Sequence, residues 1–166
     1  MYKTNNKRLK ISVITVTKNS EKFLKKNLSS VNSQSYKNYE HIIIDGKSSD
    51  KTLDIIKKNK KKIAYYESQK DKGIYDAMNK GIKKCTGDII GILNSDDYYY
   101  KDTLKIVNKY FNENKKIDFL FGSVFKHKLL SGFYPEKIFW TFGFYTSHSV
   151  GFFIRRKSQN KLGFYN

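Results

Sequence analysis

Short apolar runs separated by helical periodicity constrain this chain more than any other feature. ISVITV (residues 11–16), HIII (41–44) and DIIGIL (88–93) are too short for ordinary helices and too continuously apolar for half-exposed strands. Such runs suit strands buried on both faces. Between them, apolar residues return at helical spacing, with Phe23, Leu24, Leu28 and Val31 in EKFLKKNLSSV, and Leu53, Ile55 and Ile56 after Asp50. A third helix is expected over Gly73–Lys84, and a fourth through Leu104, Ile106, Val107, Tyr110 and Phe111. KIAYYES and IDFLFG supply two more strands, while residues 124–154 are aromatic-rich and less regular. Ser20 and Asp50 stand where helix caps are wanted. Strands alternating with helices predict an α/β fold: a mostly parallel open sheet flanked by helices on both faces.

At 166 residues the chain is long enough for one domain with one hydrophobic core. Residues 1–9 read as a basic, frayed leader and residues 10–166 as the domain. Its apolar fraction of 39% excludes a disordered tail despite a formal charge of +18. The single cysteine, Cys85, excludes an internal disulfide framework. MYKTNNKRLK has no apolar signal core, and no run reaches the roughly 18 apolar residues of a membrane span. A cytoplasmic protein is the expectation. The positive charge points to an anionic partner, such as nucleic acid, phosphate or an acidic membrane surface. Arginine, however, occurs only at Arg8, Arg155 and Arg156. Base and bidentate phosphate recognition favours arginine, so no specific nucleic acid is expected and peripheral contact with anionic lipid is preferred.

In an open parallel sheet, ligands lie outside the carboxyl ends of the strands. Thr15 and Thr17 close or follow the first strand, Asp45 follows the second, and Asp96-Asp97 follow DIIGIL. These polar features therefore converge on one rim. Adjacent carboxylates repel, and two accounts fit them. A hard divalent cation, Mg²⁺ or Mn²⁺, takes one or two carboxylates and completes its shell with phosphate and water. Alternatively, one aspartate caps the helix near Lys101 and its neighbour is solvated, with Asp102 an ordinary first-turn carboxylate. The turn Asp45-Gly46-Lys47-Ser48-Ser49-Asp50 carries neither a dinucleotide fingerprint nor a P-loop.

Taken together and in order, ISVITVTKN, HIIIDGKSSDKT, DKGIYDAMNKGIKKCTGD and IIGILNSDD resemble the nucleotide-sugar-binding half of a family 2 glycosyltransferase. The likeness extends from about Ile11 to the final KLGFYN, and is narrowest to bacterial enzymes of lipopolysaccharide, capsule and other surface glycans. It implies a nucleotide-diphospho-sugar transferase (GT-A-like) fold, incomplete at its C-terminus. It also implies transfer, with inversion, from a nucleotide-sugar donor (a UDP-sugar is favoured) to a growing glycan or lipid-linked acceptor. Thr15 and Thr17 would line the nucleotide pocket and Asp45 would bond the base. Lys72, Gly73 and Asp76 would close over the donor, with Asn79, on the same helix, counted among the donor-binding residues. Asp96 would touch ribose or sugar, and Asp97, with Asp96, would hold the Mg²⁺ or Mn²⁺. The family's acidic pair is often D-x-D; here Asn94 takes the earlier place and the acids are adjacent.

Inverting transfer requires a base for the acceptor hydroxyl. The resemblance puts it beyond KLGFYN, and no acidic side chain follows Glu136. A shortened, inactive donor-binding module is therefore the rival expectation, and Glu136 and Asp118 are the fallback bases. His148 could touch diphosphate or metal, or be structural. Arg155 and Arg156 could meet phosphate or membrane, or be solvated strand-end charges. Tyr98, Tyr99 and Tyr100 could border the sugar or pack the next helix. His41 has no matched ligand partner, and Met78 and Cys85 read as core. A sugar nucleotidyltransferase is disfavoured, since its early glycine- and basic-rich loop is reduced here to Lys18.

Overall fold

A computed structural model describes residues 8–125, 129–130 and 149–166. Its main sheet is built from β1 (Ile11–Thr17), β2 (Tyr39–Asp45), β3 (Tyr65–Ser68), β4 (Ile89–Ile92), β5 (Phe119–Phe121) and β8 (Phe152–Arg155). The strand order is β3-β2-β1-β4-β8-β5. β1 pairs in parallel with β2 and β4, and β2 with β3, whereas β8 runs antiparallel to both β4 and β5. Two short strands, β6 (Val124–Phe125) and β7 (Leu129–Leu130), form a separate hairpin pair. The mixed α/β architecture is the one expected, with β8 the antiparallel exception.

Five helices complete the described part: α1 (Leu24–Asn32), α2 (Thr52–Lys58), α3 (Ile74–Lys84), α4 (Thr103–Glu113) and α5 (Arg156–Leu162). Strand alternation sends Ile11 and Val13 to one sheet face, where Val31 of α1 and Leu104, Val107 and Phe111 of α4 cover them. Ile14 and Val16 go to the other face, against Ala77, Met78 and Ile82 of α3. α1 and α2 meet over Ile43 through Leu24, Leu28, Ile55 and Ile56. Burying β1 on both faces accounts for Ile11, Val13, Ile14 and Val16, and leaves Ser12, Thr15 and Thr17 to find polar partners or a ligand.

Several local expectations are corrected. Leu9 is buried, its amide bonded to Asn108 and its carbonyl accepting the Tyr36 hydroxyl, so a frayed leader cannot extend through it. Ser20 does not cap α1 with its side chain; its carbonyl instead receives the amides of Phe23 and Leu24. Phe23 is half exposed rather than part of the buried stripe. Asp50 does serve the start of α2, accepting the Thr52 amide at 2.9 Å, and also takes the Glu21 amide. Glu21 returns a bond to the Lys51 amide, which locks the two loops together. α5 was not expected, because RKSQNKL has no apolar period. Ser158 donates to Asp118 at 2.5 Å and Arg156 to the Gly87 carbonyl at 2.7 Å, anchoring it by polar contacts.

Arg155 is neither a phosphate contact nor a solvated charge. Its guanidinium donates to the carbonyls of Ile117 and Phe111 and lies over the Phe111 ring. It thereby satisfies part of the exposed C-terminal end of α4. Met78 and Cys85 are core residues, as expected.

Candidate functional site

The carboxyl ends of β1 and β4 and the start of α3 enclose a cleft of about 630 Å³. Thr17, Asp71, Gly73, Ser95 and Asp96 are among its walls. Thr17 contributes a buried hydroxyl with no hydrogen-bond partner, a group whose desolvation is offset only if a ligand reaches it. Gly73 has φ 124°, a conformation that favours glycine, and so lets the chain turn sharply into α3. Its amide is held by Asp71 at 3.1 Å. At Gly46 a Cβ would lie 2.3 Å from Asp71 Oδ2, so a larger residue there would push that carboxylate aside. Asp71 was not anticipated as a site residue. Its signal was the acid-x-glycine start of DKGIYD, hidden among lysines.

The acidic turn is held from two sides. Ser95 and Ser20 hydroxyls meet at 2.8 Å; Ser20 gives its own proton to the Lys18 carbonyl, so Ser95 is the donor. On the other side, the buried Asn27 amide donates to the carbonyls of Asn94 at 2.9 Å and Asp97 at 3.1 Å. Asp96 is exposed and borders the cleft. Asp97 instead borders a second cavity, about 790 Å³, with the tyrosines and Phe153. The adjacent acids thus border different cavities. Tyr99 packs on Phe153 as a core residue with a raised hydroxyl pKa from burial, whereas Tyr98 and Tyr100 are exposed.

Other expected site residues are not at the cleft surface. Thr15 is fully buried beneath the rim, bonded to Asn27 and His41. Asp45 is also wholly buried. One of its oxygens accepts the Ser48 hydroxyl, and the other takes the Ser48 amide at 3.1 Å and the Ser68 hydroxyl at 2.6 Å. It orders the loop after β2, whose Lys47 adopts φ 58°. Lys72 is exposed and gives its amide to Asp76. That bond, with the Lys80 ammonium at 3.2 Å, lowers the Asp76 pKa and makes it a first-turn anchor of α3. The Asn79 side-chain amide clasps the Tyr165 backbone, donating to its carbonyl and accepting its N–H. Tyr75 stacks on Tyr165 at 5.7 Å, reinforcing the same clasp. Asp118 is engaged by Ser158, away from the cleft. His148 and Glu136 lie outside the described residues.

A divalent ion fits the chemistry of this rim, since Asp71 and Asp96 both supply hard oxygen to the cleft. Among the described residues no group of three or more acidic, histidine or cysteine side chains gathers as a self-sufficient metal cage. Mg²⁺ and Mn²⁺ sites that rely on substrate phosphate need no such cage. Nor, among the described residues, is any helix long and apolar enough to cross a membrane.

The sheet order, with a nucleotide-sized cleft at the strand ends, defines a nucleotide-diphospho-sugar transferase fold of the GT-A type. The chain belongs to glycosyl transferase family 2, whose model matches residues 12–165. A Methanococcus voltae dolichyl N-acetyl-alpha-D-glucosaminyl phosphate 3-beta-D-2,3-diacetamido-2,3-dideoxy-beta-D-glucuronosyltransferase is 44% identical over 102 residues, covering 57% of this chain and 32% of that one. Curated relatives at the head of the comparison are matched over only a fifth to a third of their length. In structure, Staphylococcus aureus TarS 1–349 in complex with UDP superposes with TM-score 0.73 at 24% identity, covering 93% of this chain and 49% of that one. The Pyrobaculum calidifontis mannosyltransferase PcManGT, in complex with GDP-Man and Mn²⁺, gives TM-score 0.73 at 19% identity, covering 94% and 47%.

Proposed function

We propose that the cleft binds the nucleotide-diphosphate end of a sugar donor, with a UDP-sugar favoured, for inverting transfer to a growing glycan or lipid-linked acceptor. The observation that carries this reading is the convergence of Thr17, Asp71, Gly73 and Asp96 on one cleft at the strand ends. Asp96 would hold Mg²⁺ or Mn²⁺, with Asp71 close by as a second oxygen source. The ion, when bound, offsets negative charge developing on the leaving diphosphate. Thr17 offers its unpartnered hydroxyl to the nucleotide, while Asp45 keeps the β2 loop shaped around it. UDP in the TarS complex supports this choice of donor class, and exposed lysines suit peripheral attachment at the cytoplasmic membrane face.

Calorimetry with UDP, in Mn²⁺ or in chelator, tests the reading on the wild-type chain and on Asp96→Ala. UDP should bind more tightly with the metal, and Asp96→Ala should erase that increment. Equal affinity in all four measurements would refute it.

A further inference from the structure

Beneath the acidic turn runs a buried polar string for which the donor contacts above provide no use. Thr15 and Asn27 are fully buried and His41 is 1% exposed. Polar groups of this size in a core weaken it relative to apolar residues of equal volume unless every bond is made. The proton positions follow by elimination. Carbonyls of Asn94 and Asp97 can only accept, so the Asn27 NH₂ must face them. Asn27 Oδ1 is then turned toward Thr15, whose hydroxyl donates to it at 3.3 Å. That hydroxyl has one proton, so His41 Nε2, 2.9 Å away, must carry the hydrogen between them. Nδ1 is left as a bare lone pair with no partner, as a neutral ring allows. Burial, which pushes the ring pKa down to about 3, keeps it neutral.

The string therefore has a direction, running from His41 through Thr15 to Asn27 and ending on the two carbonyls that bracket Ser95 and Asp96. We propose that Asn27, oriented by Thr15 and His41, is a positioning residue that clamps both ends of the Asn94–Asp97 turn and presents Asp96 to the cleft in one conformation. The purpose assigned to the turn rests on the donor reading; the clamp itself does not. Outer partners of this kind orient groups that touch a ligand or metal.

The test uses Asn27→Leu, Thr15→Val and the hydroxyl-preserving Thr15→Ser, with two readouts on the whole chain. The first is amide hydrogen exchange of the segment 93–100, compared with that of β1 and β2. The second is UDP affinity in Mn²⁺, measured well below each variant's melting temperature. Asn27→Leu and Thr15→Val should speed exchange in the turn while the strands stay protected. They should weaken UDP by about ten-fold, the low end for losing an outer-shell partner. Thr15→Ser should behave as wild type. If Asn27→Leu does not fold, Thr15→Val, which deletes only a hydroxyl, decides the matter. Unchanged turn exchange in a folded variant overturns the proposal, and so does faster exchange with unaltered UDP affinity. If the wild-type chain binds no UDP, the donor reading fails separately, and the exchange measurement alone decides for or against the clamp.

Discussion

Glu40→Gln should destabilise the fold in a pH-dependent manner without touching the cleft. Glu40 lies on β2, 9% exposed, and its carboxylate collects five donors. They are the Ser12 hydroxyl at 2.6 Å, the Thr86 amide and hydroxyl at 2.7 Å each, the Gly87 amide at 3.2 Å and the Lys10 ammonium at 2.6 Å. Burial alone would raise its pKa; the bonds from Lys10, Ser12 and Thr86 outweigh burial and hold it at about 2, against 4.5 for the free group. At about 1.4 kcal/mol per unit, the ionised form stabilises the native state by at most about 3.5 kcal/mol. The Lys10 side chain is 38% exposed and screened, so about 2 kcal/mol is the working figure. Because the folded pKa is depressed, this contribution is complete above about pH 6 and fades as pH falls from the unfolded toward the folded value. Urea unfolding of wild type and Glu40→Gln across pH 3–7 measures it. The gap between them should be about 2 kcal/mol near neutrality and shrink by about half at pH 3. A gap independent of pH, or below about 0.5 kcal/mol at pH 7, would refute the reasoning.

Gly46→Ala should displace the Asp71 carboxylate, since the new Cβ would sit 2.3 Å from its Oδ2. The far end of a side chain can yield, so stability should change by no more than about 1 kcal/mol while UDP affinity falls several-fold; unchanged affinity would remove Asp71 from the site. Cys85, buried and with its thiol pushed up to about 12, should resist alkylation in the native chain at pH 8 and react fully in denaturant. Rapid native labelling would contradict the burial seen just past the end of α3.

What was legible in the sequence was whatever apolar burial dictates. β1, β2 and β4 are rich in apolar residues because both faces of the sheet are covered, and that pattern needs no tertiary knowledge to read. α5 was illegible for the converse reason, while β8, although apolar, lies in a stretch read only as less regular and extended in part. β8 pairs antiparallel to β4 through three residue pairs, and α5 is tied down by Ser158, Asp118 and the Gly87 carbonyl rather than by an apolar stripe. Motif resemblance located the rim but not the direction in which its side chains look. Asp45, Asn79 and Asp76 stand in the expected segments, yet their polar atoms are occupied by the loop, the chain end and the helix start.

The stripe of α1 shows how the missing part could have been found. Leu24, Leu28 and Val31 are its buried apolar positions, and Asn27 occupies the fourth place in the same i, i+3, i+4, i+7 set. Phe23, half exposed, does not belong to that set. An asparagine at a core position of a short helix must be answered by several partners, and the turn that follows a strand is a place where free carbonyls meet a helix lying across it. Reading Asn27 as a demand for acceptors, rather than as a gap in the stripe, leads from α1 to the end of β4 and hence to the turn carrying Asp96. The same logic explains the divergence of the two aspartates. Both ends of the four-residue turn are fixed by one amide and Ser95 is tied to Ser20, and in that fixed turn Asp96 borders the cleft and Asp97 the neighbouring cavity.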